Sequence, residues 1–201
     1  MYSLIPVVCA QDITALVRAL PGSVAQGLIW GIMAIGVFLT FKILDFADLT
    51  VDGTMATGGV VTVMLILKGW NPVAAVAVAF VAGMLAGLIT GILHTVLGIP
   101  DILAGILTQL SLYSINLNIS EGKANQAVNV DMYKLVVSGR DNPAAIVTVV
   151  IILLVVIALM YWFFGTELGF TIRATGCNPN MSRAQGINTN VAKVLALVFS
   201  N

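Results

Sequence analysis

Five long stretches of this chain carry no charged side chain, and their spacing limits the fold more than any other feature. A helix needs about 20 apolar residues to cross the hydrocarbon core of a bilayer. The first stretch lies between Arg18 and Lys42, "ALPGSVAQGLIWGIMAIGVFLTF", with Pro21 near its start, where a helix tolerates proline. The second, "GTMATGGVVTVMLIL" (53–67), is too short to span unless the polar residues before it join in. The third, from Asn71 to His94, is rich in Gly and Ala, which suits close helix packing rather than lipid contact. The fourth (102–120) is semi-polar, with Gln109, Ser111, Ser114 and Asn116; Gln109, Ser111, Tyr113 and Asn116 could either line a polar path or bond neighbouring helices. The fifth (143–165) is the most lipid-like and ends in the aromatic cluster Tyr161–Phe164, as at a membrane interface. A sixth begins after Lys193 and reaches about half of a spanning length by residue 201. The expectation is an all-α, polytopic membrane helix bundle with about five spans plus the start of a sixth, incomplete at its C-terminus, with broken or re-entrant segments.

Composition agrees. Of 201 residues, 59% are hydrophobic and 9% are charged, against about 25% charged in soluble domains. Such a chain cannot cover a water-facing surface with charge. The formal net charge is zero and the basic residues are scattered, which excludes a nucleic-acid partner. Cys9 and Cys177 form no metal or disulfide pattern and read as two thiols. The N-terminus lacks the basic region of a cleaved signal peptide. His94 is the single histidine, so no H-E-x-x-H zinc motif exists, and at a helix end it reads as structural. No G-x-S-x-G elbow accompanies it. Gly122-Lys123 lacks the upstream glycine of a phosphate-binding loop and is followed by Ala124. The chain therefore reads as a non-enzyme, and any ATP would be hydrolysed by another subunit.

Three polar segments remain. Residues 121–142 read as an ordinary loop. "FKILDFADLTVDGTMATGG" (41–59) places Asp45, Asp48 and Asp52 between two apolar runs. Acids at membrane depth face a protein interior or a water-filled cavity. Either they line such a cavity within a broken helix, or they sit in a turn where Asp48 or Thr50 caps the next helix. The third segment is "RATGCNPNMSRAQGINTNVAK" (173–193). Asn178-Pro179 starts a short helix over 180–185, because Asn caps and Pro fits the first turn, and Gly186 ends it. Counting cations does not orient the chain: Lys123, Lys134 and Arg140 balance Arg173, Arg183 and Lys193.

The third segment carries a resemblance. Phe170, Arg173, Ala174, Gly176, Asn178, Pro179, Gly186, Ile187 and Asn188 match the cytoplasmic coupling loop of bacterial ABC importer permeases for branched-chain amino acids, ribose-type sugars and nucleosides. Ser182-Arg183-Ala184 stands where many relatives have two alanines. "DFADLTVDGTMATGG" and "GLITGILHTVLGIPDILAGILTQLSLYSINL" resemble two further stretches of those permeases, in the same order, so that the likeness covers about residues 20–200. The wording is similar to an uncharacterised subgroup paired with a periplasmic binding protein, some members of which are associated with tryptophan or tyrosine.

The resemblance implies a transmembrane importer domain over 1–201, with a cytoplasmic coupling loop at 166–193. Arg173, Gly176, Asn178, Pro179, Arg183, Ala184, Gly186 and Ile187 would meet the ATPase, with the two arginines pairing with its acids. Asp45, Asp48, Thr50, Asp52, Gln109 and Ser111 are the candidate lining of the translocation path. No cofactor would bind directly; ATP and Mg would sit on the partner P-loop ATPase. Two permease copies would form the path for a small polar solute such as an amino acid, delivered by an extracytoplasmic binding protein, in the bacterial inner membrane. Residues 121–142 would lie outside, with the N-terminus. The rival reading is an ion-coupled secondary transporter or channel that uses the three aspartates.

Overall fold

The computed structural model describes residues 5–123 and 143–201, with side chains described from residues 20 and 146 onward in those two parts. Most of the 121–142 connection therefore lies outside the described residues. The order is α1 (Ile5–Val37), a π-helical turn (Phe38–Ile43), α2 (Thr50–Leu67), α3 (Pro72–Thr95), α4 (Asp101–Ile119), α5 (Pro143–Phe164), α6 (Glu167–Cys177), α7 (Pro179–Ala184) and α8 (Thr189–Ser200). Five helices are long and apolar enough to cross a membrane: Leu20–Ile43, α2, α3, α4 and Ile146–Phe164. The all-α polytopic expectation holds.

Boundaries differ from the sequence expectation at three places. α1 begins well before Pro21, which lies inside the helix rather than at its start. A membrane-embedded helix tolerates interior proline because neighbouring groups re-satisfy the freed carbonyl. α2 takes in Thr50, Val51 and Asp52, which gives it 18 residues and spanning length. α8 begins at Thr189, four residues before Lys193.

Side-chain contacts fix the relative directions. Gly69, at φ +84°, turns α2 into α3, and Asn71 caps α3 by accepting from the Val73 N–H at 3.0 Å with Pro72 in the first turn. Gly98, at φ +68°, turns α3 into α4. The buried hydroxyls of Thr90 and Thr108, 3.0 Å apart, tie those two helices. α8 runs antiparallel to α3. A Cβ on Gly91 would meet Val194, one on Gly87 would meet Leu197, and one on Gly83 would meet Asn201. At the far end of that contact Lys193 Nζ donates to His94 Nε2 at 3.0 Å, while His94 Nδ1 donates to the Ile99 carbonyl at 2.9 Å. His94 is thus a structural bridge, with its proton on Nδ1.

α1 descends to the same end as α6. Its last turn widens: the Leu44 N–H bonds the Leu39 carbonyl at 3.1 Å, five residues back. Insertions of this kind recur at functional sites. Asp45 then adopts φ +56°, a left-handed conformation that Asp tolerates better than most residues. The chain reverses over 44–49 and enters α2. The fully buried Leu39, Phe46, Ile172 and Leu197 form the core where this reversal meets α6 and α8. The five spans alternate in direction, so the start of the 121–142 connection and the N-terminal end of α1 lie opposite the α6–α7 end.

Candidate functional site

Two polar features depart from the apolar bundle. The first is the elbow between α5 and α8. Thr166 caps α6 by accepting from the Gly169 N–H at 3.4 Å. Asn178 ends α6 and starts α7: its Oδ1 accepts from the N–H groups of Asn180 at 3.1 Å and Met181 at 3.0 Å. Pro179 fills the first turn, where no N–H is needed. Gly186, at φ +83°, closes α7, with its N–H on the Arg183 carbonyl and the Ile187 N–H on the Ser182 carbonyl, both at 3.0 Å. This is the paired end-closure that glycine permits. Two residues later Asn188 caps α8, accepting from Asn190 at 3.1 Å and Val191 at 3.3 Å. α7 spans 179–184 against the 180–185 read from sequence.

The structure divides the eight residues matched to a coupling role. Asn178, Pro179, Arg183, Ala184 and Gly186 are exposed around α7, joined by Met181 at 60% exposure, and Ile187 is half-buried beside them. Arg183 is tied back to α8, its Nε donating to the buried Thr189 hydroxyl at 2.9 Å. Gly176 is a packing residue: a Cβ there would lie 1.9 Å from the Ile43 carbonyl oxygen, so only glycine lets α6 touch the π-helical turn. Arg173 sits apart, its guanidinium 4.9 Å from the centre of the Phe164 ring.

The second feature is a polar seam at mid-depth. Asp48 is 6% exposed. Its Oδ1 accepts from the Thr50 N–H at 2.8 Å and from the Thr50 hydroxyl, and its Oδ2 accepts from Asn201 Nδ2 at 2.8 Å. Thr54 Oγ1 lies 2.9 Å from Asn201 Oδ1. Asp48 therefore accepts the first N–H of α2 and holds Asn201 beside it. Asp101 reaches back to the Ala47 N–H at 3.3 Å. Asp52 is exposed on α2 and accepts from Gln109 Nε2 of α4 at 3.5 Å. Two helical turns beyond Gln109 on the same face, the Asn116 Oδ1 atom is buried and has no partner among the described residues. Asp45 is exposed at the reversal. Ser111 points away from Gln109, its hydroxyl returned to the Leu107 carbonyl at 2.8 Å. The structure thus brings Asp48 and Thr50 together as buried scaffold, joins Asp52 to Gln109 on an open face, and leaves Asp45 and Ser111 outside both groups.

The family model described as "Branched-chain amino acid transport system / permease component" matches residues 20–201. The chain belongs to this family. The chain is 39% identical over 176 residues to the tyrosine transport system permease protein of Clostridioides difficile (strain R20291), covering 88% of this chain and 58% of the relative. It is 31% identical over 176 residues to an uncharacterised protein of Rickettsia prowazekii (strain Madrid E), covering 88% and 61%. The permease chain spans about three fifths of the length of these curated relatives. No solved structure matches it.

Sequence reasoning missed several residues that shape the site of this permease. Asn201 pairs with Asp48 across 153 positions, and Lys193 pairs with His94 across 99. No local pattern announces such partners. Asn116 was legible as a polar residue in an apolar run, and its unsatisfied oxygen on the Gln109 face gives that polarity a direction.

Proposed function

We propose that this permease chain is the membrane subunit of an ATP-driven importer in a bacterial inner membrane. Two copies form the path for a small amino acid, and an extracytoplasmic binding protein supplies the solute. Tyrosine, the solute in the name of the Clostridioides relative, is the first candidate. A P-loop ATPase docks on the exposed face of α7 and holds the ATP and Mg. The permease itself performs no covalent chemistry. One observation carries the reading: α7 is a short exposed helix with both ends closed by its own residues and no slack before α8. Such an element transmits displacement instead of absorbing it. Closure of the ATPase dimer would draw the two α7 helices together and turn the path outward; hydrolysis would reset it. Asp52 and Gln109 then face the solute, and the cytoplasmic side is the α6–α7 end. Ion coupling through the aspartates gains nothing from Asp48, whose oxygens are occupied by three donors.

The test is co-purification from membranes. Parent chain and an Ala184→Glu, Met181→Glu variant are compared, since both positions are exposed and neither supports the fold. Gly186 is avoided because its positive φ would strain any side chain. A P-loop ATPase retained by the parent and lost from the variant supports the reading. Equal retention, or none with the parent, overturns it.

A further inference from the structure

Among the described residues, Arg173 is the one charged residue lining an apolar groove of about 900 Å³ between α1, α5 and α6. Ile35 lines it from α1, Phe38 from the π-helical turn, Ile157 and Met160 from α5, and Phe170 from α6. The volume falls in the upper range of ligand sites, about 300–1,000 Å³. We propose that this groove binds an anionic phospholipid, with an acyl chain between α1 and α5 and the phosphate on Arg173.

Three observations select that occupant. First, the groove opens on the outer side of the described helices, beside the most lipid-like span. Only 6% of the Ile146–Phe164 span is buried, against 33% of the α3 span, and neither 20–41 nor 146–166 contains a charged residue. The polar Asp52–Gln109 face lies on α2 and α4 instead. Second, the groove ends at interfacial depth. Tyr161 and Trp162, 86% and 69% exposed, mark the aromatic belt beside it. Third, the charge is complementary and unspent. Arg173 makes no ion pair and gives no hydrogen bond among the described residues, although Glu167 lies on the same helix; its recorded partner is the Phe164 ring face. That stacking leaves the N–H donors of the guanidinium available for a phosphate. Lys42, four residues beyond Phe38, is a further exposed cation in the π-helical turn. Basic pockets between transmembrane helices are recognised sites for anionic headgroups. Arg173 is thereby assigned to lipid and withdrawn from the ATPase contact, independently of whether α7 docks an ATPase.

The experiment is native mass spectrometry of the full chain in detergent, titrated with phosphatidylglycerol or with phosphatidylcholine of the same acyl chains. The parent should retain phosphatidylglycerol preferentially. R173Q should lower that retention about fivefold, the effect of one interfacial cation, with phosphatidylcholine unchanged and R183Q like the parent. M160W, which fills the groove, should lower retention of both lipids. Melting temperatures of all variants in the same detergent identify any that fail to fold. For such a variant, a photoactivatable phosphatidylglycerol on the parent should label the Ile157–Phe170 stretch. Equal retention of the two lipids, or an effect of R183Q equal to that of R173Q, overturns the proposal. So does a dimer that M160W dissociates, because the groove would then hold a second copy.

Discussion

Gly87→Ala tests how tightly α3 and α8 are locked. Gly83, Gly87 and Gly91 recur every four residues and present one bare stripe to α8. A methyl group built on Gly87 would lie 2.3 Å from the Leu197 carbonyl oxygen and 2.8 Å from its carbon. Unstrained carbon contacts begin at about 3.5 Å, so the helices must separate by about 1 Å. The obstacle is backbone, with no rotamer to swing aside. Separation would also stretch Lys193–His94 at one end and Asn201–Asp48 at the other. Overpacking of this kind costs about 1–3 kcal/mol. At about 2–4 °C per kcal/mol for a chain of this size, the melting temperature should fall by about 6 °C. Gly59→Ala is the control: it lies on an exposed face of α2, with nothing within 4 Å of its added Cβ. Thermal melting in detergent, read by circular dichroism, compares the two. If Gly87→Ala melts with the parent, or no lower than Gly59→Ala, the close backbone contact is not holding the bundle and the reasoning fails.

Other substitutions probe separate parts of the chain. Asn178→Ala removes the cap shared by α6 and α7 and should cost about 1 kcal/mol; hydrogen exchange at the Asn180 and Met181 amides should accelerate, and unchanged protection would refute the shared cap. Asp48→Ala strands the Thr50 N–H and an Asn201 amide N–H and should destabilise by about 1–3 kcal/mol, whereas Asp45→Asn, at an exposed carboxylate whose left-handed φ asparagine also tolerates, should fall well short of that in the same melt. His94→Phe should lower the melting temperature by leaving Lys193 without its acceptor, and adding Lys193→Met should recover part of the loss; strict additivity in that cycle would show that the two side chains do not interact. If Asp52 and Gln109 face the solute, Asp52→Asn in the assembled importer should raise the solute concentration for half-maximal uptake with the ATPase still bound, and unchanged uptake would remove Asp52 from the path.

Much of this architecture was legible in the sequence because bilayer physics is written locally. Charge-free runs mark spans, and Asn178-Pro179 with Gly186 marks a short helix with both ends closed. The start of α2 was less legible. Thr50 and Asp52 look like loop residues until their neighbours are known, and it is the burial of Asp48 against Asn201 that lets the helix start there. The roles of the polar residues were the least legible. Asp45, Asp48 and Asp52 stand within eight positions, yet one is at a left-handed turn, one is buried and saturated, and one is open to Gln109. Distant chain segments decide among them. Arg173 shows the same limit: it lies inside the recognisable motif, but α5 turns it toward a ring and a groove instead of toward α7.

α8 is held at two points. Asn188 and the Arg183–Thr189 bond fix its start to α7, and Asn201 ties it to Asp48 and the first turn of α2. Between them lie 12 helical residues, about 18 Å at the usual rise. Gly83, against which Asn201 rests, is the midpoint of α3. The stretch between those two points is therefore a push-rod from the α7 end of the bundle to the level of Gly83. A thrust delivered at α7 would arrive where α2 begins, with Asp52 less than one helical turn beyond.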